Sequence, residues 1–315
     1  MGNFEKGNDK EVSMAATKSS ARKSTSKKTA VSVEEKKIAA EKQTVKEEII
    51  AAPVEVVETP VEKNPAPAPQ PEVHVVPKKK IMFVASEAAP FIATGGLAEV
   101  IGSLSKAIAK DENFDVRVII PLYQDIKKEY RKDFKFIGNI FVPLSWRNQY
   151  CGIFEYNEYY FKRPGCYGYY DDGERFAFFC RGVMEILSFL NFYPDILHCH
   201  DWQAALAALY LKTIYCFRPE YQFIRSVFTI HNIEYQGKYS LDILEDLFGI
   251  SNRYRYLVEY DRCINLMKGA IECSERFSTV SPTYAGEIKD PYYAHGLDPI
   301  IRRNEFKLCG ILNGI

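Results

Sequence analysis

The amino-acid sequence predicts an α/β protein built on a doubly wound, Rossmann-like parallel sheet. From residue 81 onward, short apolar runs alternate with helical patterns, as in successive βαβ units. The apolar runs are continuous rather than alternating with polar residues, which is typical of strands buried on both faces of a parallel sheet. Polar residues follow four of these runs, at the edge where such sheets bind ligands.

Six strands and five helices are predicted in this part of the chain. The strands cover 81–85, 116–121, 196–198, 226–230, 277–280 and 308–312. The helices cover 97–110, 175–190, 202–215, 261–273 and 283–289. Residues 134–170 are rich in Tyr, Phe and Gly and predict an antiparallel hairpin insertion. Its aromatic cluster packs the insertion or, alternatively, offers stacking faces for sugar rings: Tyr156, Tyr159, Tyr160, Phe161, Tyr167, Tyr169 and Tyr170.

Residues 1–78 differ in composition from the rest of the chain. They contain one aromatic residue, Phe4, no cysteine, and seven of the sixteen prolines, from Pro53 to Pro77. We predict a disordered Lys/Ala/Glu-rich tail and a stiff Pro-rich linker, because this composition cannot bury enough apolar surface to offset chain entropy. The Ser/Lys-rich stretch 13–30 raises the alternative of a plastid transit peptide. Preceding acidic residues and scarce arginine favour a cytoplasmic protein instead.

The overall composition disfavours several classes of protein. Formal net charge is +0 and no basic face emerges, which argues against a nucleic-acid partner. No apolar run is long enough to cross a membrane, so no membrane partner is predicted. The eight cysteines are scattered without a C-x-x-C pair, which is typical of reduced, mostly buried thiols in the cytoplasm.

A glycine loop joins the first predicted strand to the first helix. Gly95 and Gly96 lie just before the helical pattern that begins at residue 97. A strand, glycine loop and helix can bring backbone N–H groups and a helix N-terminus to a phosphate, and glycine also permits a positive φ. The spacing is neither G-x-G-x-x-G nor a P-loop. The alternative is a tight turn that holds no ligand.

Polar side chains cluster where the predicted strands end, and three of the five histidines lie at two of these ends. We therefore predict a binding cleft at this edge of the sheet. The strand-end residues are Ser86 and Glu87, the run 198–202, His231 with Asn232, and the run 281–283.

Each histidine and carboxylate at these ends has a structural alternative. We expect His198 to be a core histidine, and His200 and His231 to bind a polyhydroxylated ligand. A metal site is disfavoured, because Cys199 would face away from its neighbours and no second ligand pair follows at zinc spacing. We expect Asp201 to cap the following helix.

Two adjacent aspartates precede the second predicted helix. Asp172 is expected to be its N-cap, since a carboxylate suits the start of a helix. Asp171 is then free to face the cleft. No G-x-S-x-G elbow or Ser-His-Asp order supports a hydrolase triad.

These segments together resemble the N-terminal half of bacterial glycogen synthases and plant starch synthases, which are GT-B glycosyltransferases. The resemblance covers residues 79–315 and rests on seven motifs in family order. They are SEAAPFIATGGLAEVIGSL (86–104), YYDDGERFAFFCR (169–181), PDILHCHDWQAAL (194–206), VFTIHNIEYQG (227–237), INLMKGAI (264–271), FSTVSPTYAGEI (277–288) and GILNGI (310–315).

The resemblance implies transfer of glucose from ADP-glucose to the non-reducing end of an α-1,4-glucan such as glycogen, with retention and without a metal or other cofactor. His200 and Asp171 are then the catalytic candidates, with His200 bonded to the transferred glucose. The implied substrate-binding residues are Thr94, Gly95, Gly96, Glu99, His231, Asn232 and Asn265.

Two positions depart from the family pattern, and one domain of the family is not found in this sequence. Ala93 stands where the family usually has Lys, and Glu99 where it usually has Asp. The family's C-terminal nucleotide-binding domain is absent, so the resemblance implies the acceptor-side half of an active site, which a separate C-terminal half could complete. Two alternatives stay open: a non-catalytic α-glucan-binding or regulatory half-domain, and a GT-B enzyme using another sugar nucleotide.

Overall fold

The computed structural model describes residues 77–144, 147–153 and 160–314, without the side chains of 147–153. The predicted tail up to residue 76, and the predicted packing of Tyr156 and Tyr159, lie outside these residues. The strands are β1 (Lys79–Val84), β2 (Phe114–Ile119), β3 (Gly138–Leu144), β4 (Arg147–Ile153), β5 (Ile196–His200), β6 (Arg225–Ile230), β7 (Lys238–Tyr239), β8 (Glu259–Tyr260), β9 (Cys263–Asn265), β10 (Arg276–Thr279) and β11 (Leu308–Gly310). The helices are α1 (Gly96–Ala109), α2 (Lys128–Arg131), α3 (Asp172–Phe189), α4 (Asp201–Thr213), α5 (Ile243–Asp246), α6 (Arg255–Val258), α7 (Leu266–Cys273), α8 (Pro282–Glu287) and α9 (Asp298–Arg303). Short 3-10 helices cover Tyr215–Phe217, Pro219–Tyr221, Asn252–Tyr254 and Glu305–Lys307.

The central sheet has six parallel strands in the order β11-β10-β6-β5-β1-β2. These are the six predicted strands, so the predicted fold class is confirmed for the described residues. The chain winds from β1 to β2 in one direction and from β5 to β11 in the other. The point of reversal between β1 and β5 is where open α/β sheets form a ligand crevice.

Side chains of β1 alternate between two hydrophobic cores. Met82 and Val84 belong to the larger core, whereas Ile81 and Phe83 pack with Leu97 of α1 on the opposite face. This alternation follows from the pleat of a strand, whose successive side chains face opposite sides. The sheet is therefore covered on both faces, as its continuous apolar strands require.

Helix α4 lies at the centre of the larger core, packed between α3 and α7. Every residue of α4 except Lys212 is buried. The helix carries many small alanine side chains, which allow its neighbours to approach from all sides. The longest helix of the described part is α3, and no helix in that part is long and apolar enough to cross a membrane.

The predicted helix over 261–273 is wrong in its first half. Residues Cys263–Asn265 form β9, which pairs antiparallel with both β7 and β8 in a small separate sheet. Helix α7 begins only at Leu266. The predicted insertion contains the antiparallel pair of β3 and β4. Within it Tyr160 and Phe161 are buried, whereas Tyr170 is 94% exposed.

Candidate functional site

Three of the four predicted groups of strand-end residues lie side by side, at the ends of β1, β5 and β6, next to the point where the sheet reverses its winding. Val84 of β1 pairs with Cys199 of β5, and His200 of β5 pairs with Thr229 of β6. The segments that follow these strands therefore leave the sheet side by side. We define the strand-end site as these segments together with the turn before α3.

His200 and His231 form a direct pair within this site. Nδ1 of His200 lies 3.0 Å from Nε2 of His231, so one ring donates the shared hydrogen and the other accepts it. His200 is fully buried, and its Nε2 atom has no partner among the described residues. A buried polar atom of this kind normally meets a ligand or an ordered water. The free Nε2 atom of His200 can therefore bond one hydroxyl group.

The side chain of His198 lies on the same face of β5 as that of His200, but it is bonded to the neighbouring strand of the sheet. Its Nε2 atom lies 2.7 Å from Oγ1 of Thr229, which in turn lies 2.8 Å from Oγ of Ser278. Burial lowers the pKa of His198 to about 3. His198 is a satisfied core histidine, as expected from the sequence.

His231 is expected to stay neutral until the pH falls to about 4, because burial lowers its pKa from the ordinary 6.5. The unfolded chain takes up this proton near pH 6.5, so His231 makes the folded state less stable as the pH falls from there. The measurement is an NMR titration of the His231 imidazole, assigned with a His231→Asn variant. A midpoint near the ordinary value would contradict the buried pair.

Asp201 does not cap α4, contrary to the prediction. It is the first residue of the helix, with φ of 55°, and its Oδ1 atom accepts the backbone N–H groups of His231 at 2.7 Å and Asn232 at 3.4 Å. Burial outweighs these two bonds and raises its pKa to about 7. Asp201 therefore fixes the backbone that carries His231. Its raised pKa makes the folded state less stable as the pH rises from about 4 to about 7, opposite in sign to His231.

The predicted N-cap of α3 at Asp172 is wrong, because Asp172 is the first residue of the helix itself. Asp171, not Asp172, is the N-cap residue, and its side chain makes no cap bond. The Oδ1 atom of Asp171 accepts from Nη1 of Arg163 at 2.7 Å, while Oδ2 is buried without a partner among the described residues. Asp172 instead accepts the N–H groups of Gly168 and Tyr169. Asp171 thus keeps one carboxylate oxygen without a partner among the described residues, and its place in the cleft stays a prediction.

The glycine loop is open on its outer side. Thr94, Gly95, Gly96 and Glu99 are exposed, and a Cβ atom added at either glycine would meet nothing within 4 Å. Gly95 does not use the positive φ that glycine permits, since its φ of −166° is extended. The loop can still present backbone to a ligand, because α1 begins there without a side-chain cap.

The side chain of Glu87 is bonded to the backbone of the glycine loop on its buried side. It is buried, and its Oε2 atom accepts the backbone N–H of Thr94 at 2.5 Å. Burial raises the pKa of Glu87, and the bonds to Thr94 partly oppose this rise. Beside it, the hydroxyl groups of Ser86 and Tyr167 lie 2.7 Å apart. The sequence marked Glu87 as a strand-end residue, but nothing in it indicated this clamp.

Replacing Glu87 by alanine should free the loop 91–96, because Thr94 loses the acceptor for its N–H group. We expect faster amide hydrogen exchange in that segment, measured by mass spectrometry. Glu99→Ala is the matched control, since this carboxylate is exposed on the adjoining helix. Equal exchange in the two variants would rule out the clamp.

Asn265 and Asn232 differ sharply in their surroundings. Asn265 is fully buried, accepts the N–H of Lys268 at 3.0 Å and donates to Oε1 of Gln236 at 2.8 Å. It is the N-cap of α7, and a direct contact from it to a ligand stays a prediction. Asn232 is exposed, and its Oδ1 atom accepts the N–H of Glu234 at 2.9 Å.

The fold and the strand-end site define a Rossmann-like α/β domain with polar side chains gathered at its switch point. The family described as "Starch synthase catalytic domain" matches residues 80–303. The chain belongs to this family of glycogen and starch synthases, whose members are glycosyltransferases.

Individual relatives agree with this membership. Over 249 residues, the chain is 46% identical to the glycogen synthase of Lactobacillus acidophilus and 47% identical to that of Desulforamulus reducens. Each alignment covers 75% of this chain and 52% of the relative. The chain thus spans about half the length of these relatives.

A solved structure is similar as well. The catalytic domain of starch synthase IV from Arabidopsis thaliana, bound to ADP and acarbose, matches with a TM-score of 0.67 and 31% identity. The match covers 76% of this chain and 52% of that structure.

Proposed function

We propose that the strand-end site forms the acceptor-side half of a glycogen synthase active site. The protein would transfer glucose from ADP-glucose to the non-reducing end of an α-1,4-glucan, with retention of configuration. The observation that carries the proposal is the pair of unpartnered, buried polar atoms, Nε2 of His200 and Oδ2 of Asp171. Both belong to segments that match the family.

The chemistry of the site suits this reaction. A nucleoside diphosphate is a good leaving group, so positioning and charge stabilisation matter more than a strong acid. The open N-terminus of α1 at Gly95 and Gly96 can face the diphosphate with backbone N–H groups. His200 would hold a hydroxyl of the transferred glucose as a neutral ring, because burial keeps its pKa well below the ordinary value.

The remaining predicted residues take supporting roles in the proposal. Thr94 and Glu99 flank the glycine loop, where Glu99 would bind sugar hydroxyls. His231 fixes the ring of His200, and exposed Asn232 adjoins it. The relative from Arabidopsis thaliana, bound to ADP and acarbose, supports ADP-glucose and a glucan as the substrates.

The test is transfer of radiolabelled glucose to glycogen by this protein, alone and mixed with the C-terminal half of a glycogen synthase relative. ADP-glucose and UDP-glucose are compared as donors, which decides the nucleotide. Transfer from ADP-glucose is the expected result. If the protein binds glycogen but transfers no glucose, both alone and in the mixture, a glucan-binding or regulatory domain would be favoured instead.

A further inference from the structure

Two arginines hold the two adjacent aspartates at the start of α3, one each. Nη1 of Arg163 donates to Oδ1 of Asp171 at 2.7 Å. Arg175 pairs with Asp172 in the same way, and the other oxygen of Asp172 accepts two backbone N–H groups. The second oxygen of Asp171, Oδ2, is instead buried without a partner among the described residues. The pair of Arg163 and Asp171 therefore leaves one carboxylate oxygen for a ligand.

The guanidinium group of Arg163 is itself held in place by an aromatic ring. Its central carbon lies 5.1 Å from the centroid of the Tyr169 ring, which is the range of a cation–π contact. Tyr169 is fixed in turn, because its hydroxyl donates to the carbonyl of Pro164 at 2.5 Å and its ring also contacts the guanidinium of Arg175 at 4.7 Å. The side chain of Arg163 is only 20% exposed. Its planar donor group is therefore oriented before any ligand arrives.

The positive charge of Arg163 offsets the negative charge of Asp171. The side chain of Asp171 is 6% exposed, and a carboxylate buried to that degree is costly unless it is paired. A lone carboxylate would also repel a negatively charged diphosphate nearby. An ion pair of one guanidinium and one carboxylate has no net charge. Asp171 can thus offer Oδ2 to a hydroxyl group while this repulsion is reduced.

We propose that Arg163 is a positioning residue for glucose transfer, which holds the carboxylate of Asp171 so that its Oδ2 atom accepts a hydroxyl group of the substrate. This proposal rests on the proposed function, which assigns Asp171 to the substrate. Arg163 touches no reacting atom and acts through Asp171. Without the guanidinium group the carboxylate would turn away from this orientation, and a misplacement of about 1 Å at a reacting centre can cost 10²-fold in rate.

The test measures kcat and KM for ADP-glucose with glycogen as acceptor, for the whole chain mixed with the C-terminal half of a glycogen synthase relative. Arg163→Ala should lower kcat by about 10–10²-fold and leave KM nearly unchanged. Guanidinium ion, added far below denaturing concentrations, should restore part of the lost kcat, because it can occupy the space beside Asp171. Arg163→Lys keeps the charge without the planar fork, so its kcat should lie between the two.

Arg255→Ala is the matched control. Arg255 also binds a carboxylate, that of Glu259, at 2.8 Å and 2.6 Å, but it lies in α6, outside the strand-end site. Its kcat should equal that of the wild type, with or without guanidinium. Asp171→Ala should lose kcat without any rescue, since the group to be positioned is missing. An unchanged kcat in Arg163→Ala, or a loss that guanidinium does not restore, would overturn the proposal.

An NMR measurement distinguishes this proposal from the proposed function. With isotope-labelled arginine, the Nη protons of Arg163 should give a resolved signal, because the bond to Asp171 slows rotation of the guanidinium group. Arg163→Lys assigns the signal, and Asp171→Ala should abolish it. A wild-type protein that transfers no glucose would sink the proposed function, and loss of the signal in Asp171→Ala would still support Arg163 as the group that holds Asp171. A signal that persists in Asp171→Ala would overturn the proposal, whether or not glucose is transferred.

Discussion

Replacing His200 by alanine should lower the rate of glucose transfer by about 10²–10³-fold, the cost usual for losing one preorganised hydrogen-bonding group at a reacting centre. The reason is the free Nε2 atom of His200, a fully buried ring nitrogen without a partner among the described residues. The assay measures kcat and KM for ADP-glucose with glycogen as acceptor. Because the proposed contact is to the transferred sugar, the loss should fall mainly on kcat.

A matched control comes from the same strand. His198 is half-buried, and its ring centroid lies 4.1 Å from that of His200, but its Nε2 atom is bonded to Thr229. His198→Asn should therefore reduce stability and change kcat by less than about tenfold. A similar loss of kcat in both variants would mean that the histidines act only through packing, and His200 would lose its proposed role.

Replacing Arg175 by leucine should reduce the free energy of unfolding by about 3–5 kcal/mol, the cost usual for breaking a buried charge network from one side. Arg175 is fully buried. Its Nε atom donates to the carbonyl of Tyr160 at 2.8 Å, its Nη1 atom to that of Cys166 at 3.2 Å, and it pairs with Asp172. Leucine leaves these three acceptors buried without their cation.

Chemical denaturation at neutral pH measures this effect. Arg276→Ala is the control, because Arg276 is exposed and donates to the adjoining carbonyl of Glu275, and it should change stability by no more than about 0.5 kcal/mol. Arg175→Lys keeps the charge but loses the planar fork, so we expect an intermediate loss. A cost below about 1 kcal/mol for Arg175→Leu would contradict the network.

The strands of the central sheet could be predicted because each is a short, continuous apolar run. Such runs indicate burial on both faces without reference to any partner. The small sheet of β7, β8 and β9 gave no comparable signal. Its strands have two or three residues, and Ile264 and Met267 fit a helical spacing as well as they fit the observed strand and helix. β9 forms because it pairs with β7, where Lys238 lies opposite Asn265. The local sequence around residue 265 cannot indicate this contact between distant parts of the chain.

The strand ends indicated which side chains lie close together in the candidate site, but not the hydrogen-bond partner of each one. The pairing of His200 with His231 could be anticipated, because both follow neighbouring strands. The bond of Asp201 to the backbone of His231 could not be anticipated. Its positive φ removes Asp201 from the capping geometry that its residue type favours. The roles of Asp171 and Asp172 were likewise decided by two arginines that the capping pattern does not include: Arg163 binds Asp171 and Arg175 binds Asp172.

Because α4 is buried on every side, amino-acid substitutions along the whole helix should be poorly tolerated. A helix at the surface offers one face on which substitutions accumulate freely, so its tolerance rises and falls with a period of 3.6 residues. Helix α4 has no such face, since Lys212 is its one exposed residue. A complete substitution scan should show almost uniform intolerance from Asp201 to Leu211, without helical periodicity. In α1, where Glu99, Ser103 and Lys106 face outward, the same scan should show a clear period.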